Sequence, residues 1–191
     1  QQGQWHYQLD NTSFATNHLA ANQQVTESFT VTATDSSGTP VQQTIAIDVT
    51  GTNDAPEIIS ITAQTAIEGD KTQTVGSIHF SDTDLNDRVQ FSSSSVDGFV
   101  LKQNGSYSFD PSHSSYNHLA QGDVQTIKIP ITLTDSAGAT DTKDLVISLT
   151  GTNDAPVLQQ IQAKAATEDG AALSGKFTST DVDDNETATY T

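Results

Sequence analysis

The sequence predicts an all-β chain built from tandem immunoglobulin-like Greek-key β-sandwiches of about seven strands each. Two observations lead to this fold class. Apolar residues recur at every second position, for example from Ile127 to Leu133, and this spacing is typical of a half-buried strand. The chain also repeats itself, because Gly51-Thr52-Asn53-Asp54-Ala55-Pro56 recurs unchanged at residues 151–156. A period of 100 residues is too long for a solenoid repeat and suits a chain of separate domains.

The repeat predicts the domain organisation. Residues 51–150 form one complete repeat, residues 1–50 the C-terminal part of a preceding repeat, and residues 151–191 the N-terminal part of the next. The opening at Gln1 suggests a piece of a larger protein.

The strands of the complete repeat follow from the alternation of apolar residues and from the Gly, Asn, Asp and Ser residues between them. They are expected at about 57–63, 74–80, 88–93, 99–103, 106–110, 125–134 and 141–149, with one helical turn within 113–120. Residues 1–50 are expected to carry strands resembling the fifth to seventh of these, and 151–191 the first to third. Trp5, Tyr7, Tyr107 and Phe109 alternate and are expected in the core.

Composition excludes several classes of function. Seven Lys and Arg against 24 Asp and Glu give a net charge of −17, which argues against binding to nucleic acid or to anionic membranes. The chain has no cysteine, so disulfides, thiolate zinc sites and a cysteine nucleophile are excluded. No stretch approaches the ~20 apolar residues of a membrane span, and the first residues do not resemble a signal peptide.

Strand parity gathers the acidic residues at the two ends of the complete repeat. If successive strands run in opposite directions, whatever follows the second or sixth strand lies beside the entering linker. That end is predicted to hold Asn53, Asp54, Asp82, Asp84, Asn86 and Asp135. The opposite end is predicted to hold Glu68, Asp123, Asn153 and Asp154, and the next repeat adds Asp181 and Asp183.

Carboxylates crowded in this way repel one another, and the chain has few basic residues to neutralise them. Calcium, Ca²⁺, resolves the repulsion, because it accepts six to eight oxygen ligands in a flexible geometry. Magnesium requires a tighter octahedron, and transition metals prefer imidazole or thiolate. The alternative is that Asp-x-Asp and Asn-Asp only form turns. We favour calcium, because three separate segments converge at one end and the pattern recurs at both linkers; Asp82, Asp84 and Asn53 are the strongest candidates, and Asn86 and Asp123 the weakest.

The hexapeptide, the Asp-x-Asp at 82–84 and 181–183, and Thr134-Asp135-Ser136 resemble VCBS-type repeats, the cadherin-like domains of large secreted bacterial adhesins, often of the RTX class. The resemblance covers essentially the whole chain. It implies calcium binding by Asn53, Asp54, Asp82, Asp84, Asp135 and Glu68. The cadherin Leu-Asp-Arg-Glu segment is replaced by Leu119-Ala120-Gln121-Gly122-Asp123, which implies fewer ions at each linker than in animal cadherins.

The function predicted from these observations is a non-enzymatic, calcium-stiffened extender on a bacterial cell surface that contributes to adhesion. Its partners are the neighbouring repeats of the same polypeptide, and the two terminal segments allow head-to-tail self-association. Two alternatives stay open: a module that binds glycan or protein, and an accessory domain of a secreted hydrolase. His18 and His118 occupy equivalent positions after Asn, and a repeated structural role is favoured over catalysis.

Overall fold

The computed structural model describes residues 3–191 and confirms the all-β fold class. Its first part contains one short helix, α1, and a long hairpin of strands β1 and β2. Most of the remaining strands belong to residues 57–150. The elements are α1 (Phe14–Asn17), β1 (Gln24–Thr34), β2 (Pro40–Thr50), β3 (Glu57–Ile61), β4 (Gln64–Ile67), β5 (Thr74–Ser81), β6 (Gln90–Ser93), β7 (Phe99–Leu101), β8 (Ser106–Phe109), β9 (Val124–Thr134), β10 (Thr140–Thr150), β11 (Val157–Leu158) and β12 (Ser179–Thr180).

Residues 57–150 form two four-stranded sheets, ordered β4-β10-β9-β6 and β3-β5-β8-β7. The seven strands expected from the alternation are all present. An eighth strand, β4, was not predicted; it pairs in parallel with β10, from Gln64 opposite Ile147 to Ile67 opposite Thr150. The first predicted strand, 57–63, is therefore shorter than expected: β3 ends at Ile61, and the chain continues as β4 in the other sheet. Residues 113–120 form turns without a regular helix.

The core of these sheets follows the period-two pattern. Alternate residues of β9 and β10 are fully buried: Ile129, Ile131, Leu133, Leu145, Ile147 and Leu149. Tyr107 and Phe109 on β8 are buried with them, as the sequence predicts. Each buried aliphatic side chain of this size contributes roughly 1.5–3 kcal/mol through removal from water. This burial holds the loops at the strand ends in fixed positions.

The segments on either side of this core contain fewer strands than expected. Residues 3–23 hold only α1, so no counterpart of the fifth strand forms, and Trp5 is 66% exposed instead of buried. Residues 151–191 contain only β11 and β12, so no counterpart of the third strand forms. The physical reason is the same in both places: a short strand is stable only with partners in a sheet and with a covered apolar face.

The chain divides into two compact units, and each contains one linker. The first comprises the described residues up to Ser60, with His79–Ser92 and Thr132–Lys143, and it contains the first linker, residues 51–56. The second comprises Ile61–Ile78, Ser93–Ile131 and Asp144–Thr191, and it contains the second linker, residues 151–156. Among the described residues, no helix has the length and apolar character needed to cross a membrane.

Candidate metal centres at the two linkers

At the first linker, hydrogen bonds join three segments that are far apart in sequence. The Asp54 backbone N–H donates to Asp84 Oδ2 at 3.0 Å, and the Asp84 N–H donates to Asp82 Oδ1 at 2.9 Å. The Asn53 side-chain amide donates to Asp135 Oδ2 at 2.7 Å. Asp82 and Asp84 follow the end of β5, and Asp135 follows the end of β9, so both loops are held by strands with buried faces. Five residues that strand parity placed at one end of the repeat are therefore close together in the structure: Asn53, Asp54, Asp82, Asp84 and Asp135.

A fifth acidic residue, Asp87, belongs to this group and was not predicted from the sequence. Carboxylate oxygens of Asp82, Asp87 and Asp135 lie within 4.8 Å of one another, which is close enough for one cation to contact all three. Asp87 lies three residues beyond the Asp-x-Asp pair. The signal that could have predicted Asp87 as a ligand is its position in the same loop as Asp82 and Asp84. The Asp-x-Asp motif by itself does not include it.

Two carboxylate oxygens at the first linker are buried without a hydrogen-bond partner. They are Asp82 Oδ2 and Asp84 Oδ1. Asp84 as a whole is only 4% exposed. Loss of solvation raises the pKa of both carboxyls, and the neighbouring negative charges of Asp87 and Asp135 raise them further. The site thus favours either protonation of these carboxyls or a cation beside them.

The second linker has the same framework. The Asp154 N–H donates to Asp183 Oδ2 at 2.9 Å, and the Asp183 N–H donates to Asp181 Oδ1 at 3.1 Å. Glu68 comes from the turn after β4 and accepts the Thr152 N–H on Oε2 at 3.1 Å. The predicted approach of Glu68 to the outgoing linker is therefore present in the structure.

Unpartnered oxygens recur at the second linker. Glu68 Oε1 and Asp183 Oδ1 are buried and accept no hydrogen bond. Glu68 is 3% exposed and Asp183 is 5% exposed. Burial raises the pKa of Glu68, and the nearby charges of Asp154 and Asp183 add to that rise, although the Thr152 N–H opposes it.

Backbone contacts connect each acidic loop to the turn that contains His18 or His118. The carbonyl of His18 accepts the Leu85 N–H at 3.1 Å, and the carbonyl of His118 accepts the Asp184 N–H at 2.8 Å. In each unit the histidine therefore holds the acidic loop through its backbone. This is a structural role repeated along the chain.

The glycine that opens each hexapeptide is equally constrained. A Cβ on Gly51 would lie 2.3 Å from the Leu19 carbonyl oxygen, and one on Gly151 would lie 2.4 Å from that of Ala120. Glycine is therefore required by the close approach of two backbones.

Three predicted ligands contribute no buried oxygen without a hydrogen-bond partner. Asn86 is exposed and has a φ of 64°, so its backbone forms the left-handed turn of the loop. Asp123 is exposed, and it is its carbonyl that accepts the Gly151 N–H at 2.8 Å. Asn153 is exposed and donates its side-chain amide to the Asp154 carbonyl at 2.8 Å. The two asparagines and Asp123 thus have observed roles in shaping turns.

The donor set at both linkers consists of carboxylate, amide and backbone oxygens. Oxygen ligands of this kind suit a hard divalent cation, and the cluster of Asp82, Asp87 and Asp135 contains no sulfur or imidazole that would favour a transition metal. The buried unpartnered carboxylate oxygens provide coordination positions that the protein leaves open. At the first linker the carboxylates of Asp82, Asp87 and Asp135 are close enough together to hold a metal ion.

No protein-family model matches the sequence, and no curated protein matches it. Among solved structures, the chain is similar to human CDH23 EC21-23, with a TM-score of 0.48, 16% identity, and coverage of 82% of this chain and 54% of that one. It is also similar to protocadherin Gamma B7 extracellular cadherin domains 1-4, with a TM-score of 0.47, 15% identity and coverage of 74% and 36%. Drosophila N-cadherin EC1-4 gives a TM-score of 0.41, 13% identity and coverage of 73% and 36%. The chain thus spans between about a third and about half of these solved chains, and the fold assignment rests on the strands and sheet order described above.

Proposed function

We propose that this chain is a calcium-stiffened structural module, an extender of a large secreted or cell-surface bacterial adhesin. In this proposal residues 51–150 are one complete VCBS-type, cadherin-like repeat, and residues 1–50 and 151–191 belong to its two neighbours. Calcium bound at each linker fixes one repeat against the next. The role is mechanical and non-enzymatic, and the place of action is outside the bacterial cell.

The observation that carries the proposal is the set of four buried carboxylate oxygens without partners, two at each linker. They belong to Asp82 and Asp84 at the first linker and to Glu68 and Asp183 at the second. A buried charge without a partner costs several kcal/mol, and proteins normally avoid it by pairing, by protonation or by metal binding. The four therefore argue for a divalent cation at both linkers.

The chain itself offers little neutralisation. It has seven Lys and Arg for 24 Asp and Glu, so most carboxylates have no basic partner. Among the described residues, no basic side chain is a hydrogen-bond partner of these four acids, and His118 is the one cationic neighbour that acts on Glu68, so an external cation is the partner that we propose for them.

The proposed ligands are those gathered at each linker. Asn53, Asp54, Asp82, Asp84 and Asp135 serve the first, with Asp87 added from the geometry. Glu68, Asp154, Asp181 and Asp183 serve the second, and Asn86, Asp123 and Asn153 shape the surrounding turns. An extracellular module of this kind binds calcium with a dissociation constant of about 10⁻⁴ to 10⁻³ M.

Binding at these positions ties the linker to the folded loops beside it. At the first linker, an ion contacting Asp82, Asp87 and Asp135 connects the loops after β5 and β9. Because Asp135 already accepts a hydrogen bond from the Asn53 side chain, that ion also restrains the linker. Without calcium the carboxylates repel one another and the linker gains freedom. The expected result is a rod in calcium and a flexible chain without it.

The test compares the full chain in millimolar calcium, in chelator, and in magnesium at the same ionic strength. We expect the melting temperature to rise in calcium, and small-angle scattering to report a narrower distribution of chain dimensions than in chelator. Calorimetric titration then gives the affinity and the number of ions.

The matched control is Asp144→Asn, which removes an exposed acid on β10 away from both linkers and should leave calcium binding unchanged. By contrast, Asp82→Asn should weaken calcium binding. The proposal is wrong if neither the melting temperature nor the scattering profile responds to calcium.

A further inference from the structure

Side chains of the last strand of residues 57–150 fasten the first strand to it. β3 stands at the end of the order β3-β5-β8-β7, so one side of its backbone faces away from β5. The Ile58 N–H donates to Asp141 Oδ2 on β10 at 2.8 Å, and Lys143 Nζ on β10 donates to the Ile58 carbonyl. An acid and a base thus bond both backbone groups of Ile58, as a neighbouring strand would. We call this contact the edge clip.

After β3 the chain enters the other sheet and pairs with β10 directly. β4 runs parallel to β10, from Gln64 opposite Ile147 to Ile67 opposite Thr150. The Glu68 N–H extends this pairing by donating to the Thr150 carbonyl at 2.9 Å. We call these contacts the parallel ladder. The ladder occupies the end of β10, immediately before the second linker.

Both contacts involve residues with buried side chains. Ile58 is fully buried, Ala66 on β4 is buried, and Ile147 and Leu149 on β10 are fully buried. Backbone hydrogen bonds beside such side chains have little access to water, which would otherwise compete for them when a strand is pulled. Breaking the edge clip or the parallel ladder therefore also exposes apolar surface, which adds to the resistance.

The relative direction of the two strands decides how they respond to tension. The first linker, residues 51–56, precedes β3 and β4 in the chain, and the second, residues 151–156, follows β10. A pull on both linkers therefore draws β4 toward its N-terminal end and β10 toward its C-terminal end. Because the strands are parallel, the two forces oppose each other along the strands and load the evenly spaced bonds of the ladder together. Antiparallel strands pulled in this way would separate one bond at a time.

We propose that the edge clip and the parallel ladder form a mechanical clamp that keeps residues 57–150 folded when the chain is under tension. The inference rests on the extender role proposed above and adds to it the contacts that resist the pull. Tension entering at the first linker meets the edge clip on β3 before the ladder on β4. Both contacts must break before β10 separates from the first two strands, so they set the rate of forced unfolding.

The first measurement compares two directions of pulling on the full chain by single-molecule force spectroscopy. The sequence has no cysteine, so a pair of introduced cysteines defines the two attachment points. Ala55→Cys with Ala155→Cys attaches the handles at equivalent exposed positions of the two linkers and shears the ladder. Lys71→Cys with Ala155→Cys attaches them after the C-terminal ends of β4 and β10 and peels the two strands apart.

We expect a higher unfolding force in the shearing direction than in the peeling direction at the same pulling speed. At constant force, the sheared chain should unfold more slowly by more than about tenfold, because several hydrogen bonds, each worth about a factor of five in rate, break together. In the peeling direction the same bonds break in succession. Equal unfolding forces in the two directions would overturn the proposal.

The second measurement removes the edge clip. Asp141→Ala and Lys143→Met each remove one of its two bonds to Ile58, and in the shearing direction each should speed unfolding at constant force by about fivefold. In the peeling direction each should change the rate little, because β3 lies outside the chain between the two handles. Asp144→Ala is the matched control, since it makes the same substitution at an exposed acid of β10 and should unfold like the parent chain.

Other outcomes contradict the clamp. Faster unfolding of the clip variants by the same factor in both directions indicates a general loss of stability, and an unchanged rate in the shearing direction shows that the edge clip carries no tension. Circular dichroism checks that each variant is folded, and the comparison of pulling directions leaves the clip intact, so it tests the ladder independently of these variants.

Repeating both directions in chelator separates the clamp from the proposed calcium role. The edge clip and the parallel ladder contain no ion, so the difference between the two directions should persist without calcium. A difference that disappears in chelator would assign the resistance to the linkers and overturn the clamp. If calcium changes neither melting nor scattering while the difference persists, the calcium role fails and the clamp stands.

Discussion

The two linkers have identical sequences and different surroundings. At the first linker, residues 51–56 lie beside a cluster of three carboxylates from Asp82, Asp87 and Asp135. At the second, residues 151–156 lie beside Glu68, which belongs to the turn after β4; the position one period before Glu68 falls before Gln1. The hexapeptide therefore does not determine the acidic set by itself. It presents backbone N–H groups, and the neighbouring loops supply the charge.

What the linkers share is the backbone framework. The N–H of Asp54 and that of Asp154 each donate to the second Asp of an Asp-x-Asp pair, at 3.0 and 2.9 Å. Each linker glycine donates its N–H to a preceding turn at 2.8 Å. These common contacts fix the direction of the chain, and the carboxylates of the neighbouring loops supply the negative charge. Substitutions in the shared and in the differing parts should thus have separable effects.

Gly151→Ala and Gly51→Ala test the shared framework and should have the largest effects. The added methyl would overlap backbone oxygens at 2.4 and 2.3 Å, which cannot be relieved by rotating a side chain. Overpacking of this kind costs about 1–3 kcal/mol, and each kcal/mol lowers the melting temperature of a chain of this size by about 2–4 °C. Thermal melting by circular dichroism measures the loss.

The glycine comparison has an internal control. A Cβ on Gly3 would meet nothing within 4 Å, so Gly3→Ala should leave the melting temperature unchanged. We expect the loss in Gly151→Ala and in Gly51→Ala with calcium and in chelator alike, because the overlap involves no ion. An effect that appears only in calcium would mean that these glycines act through the metal site.

Asp84→Asn and Asp183→Asn change equivalent residues at the two linkers. Their effect on stability should be intermediate in size, and its sign should differ between calcium and chelator. In chelator, each removes a buried charge whose second oxygen has no partner, so stability should rise. In calcium at about tenfold excess over the dissociation constant, loss of the ion removes about 1.4 kcal/mol. The measurement is the melting temperature of each variant relative to the parent chain, once with calcium and once in chelator.

Asp84→Asn should show the larger difference between the two conditions. Its loop follows β5 within the packed core, whereas Asp183 belongs to a segment in which most side chains are exposed. Loss of stability in chelator for either variant would show that the carboxylate is satisfied without an ion, contrary to the proposed function.

The sequence predicted the fold and the convergence of acids because both follow from simple periodicities. Alternation identified β9 and β10, and strand parity placed Asp82 and Asp135 at one end. The alternation could not predict β4 as a separate strand, because Gln64–Ile67 continues the alternation of β3. Only the pairing of β4 with β10 shows that the chain passes from one sheet to the other.

Individual side chains were harder to predict than segments. Asn86 remains a predicted ligand and has a turn-forming positive φ, while Asp87 one residue later carries a clustered carboxylate that was not predicted. Trp5 was expected in the core from its alternation with Tyr7, yet burial depends on what covers a face, and local sequence does not contain that information. Contacts from distant segments decided each of these cases.

The stability of the chain should depend on pH through buried carboxyl groups at both linkers. In the folded state burial raises the pKa of Asp82 and Asp84 at the first linker and of Glu68 at the second. Between the ordinary and the raised pKa the folded state binds more protons than the unfolded state, so these groups destabilise the chain at neutral pH. In calcium-depleted buffer their contribution to stability should become more favourable as pH falls into this window.

The measurement is the melting temperature against pH for the parent chain and for two variants without calcium. Asp84→Asn and Glu68→Gln each remove one group with a raised pKa, so the stability gained on acidification should be smaller in each variant than in the parent. Subtracting variant from parent cancels the groups whose pKa is lowered, such as Asp35 and Asp110. Saturating calcium should suppress the difference, because a bound cation favours the ionised form. Parallel curves for parent and variants without calcium would contradict the assignment.

Asn86→Gly should have the smallest effect and separates turn formation from ion binding. Asn86 and its counterpart Asn185 both have a φ of 64°, a conformation that glycine adopts freely and that costs other residues about 1–2 kcal/mol. We expect Asn86→Gly to change stability by less than about 0.5 kcal/mol and to leave the calcium affinity intact, while Asn86→Ala loses stability in calcium and in chelator alike. Calorimetric calcium titration of the glycine variant is decisive: a weakened affinity would establish that the Asn86 side chain coordinates the ion, and would make the first linker's ligand set larger than its buried oxygens imply.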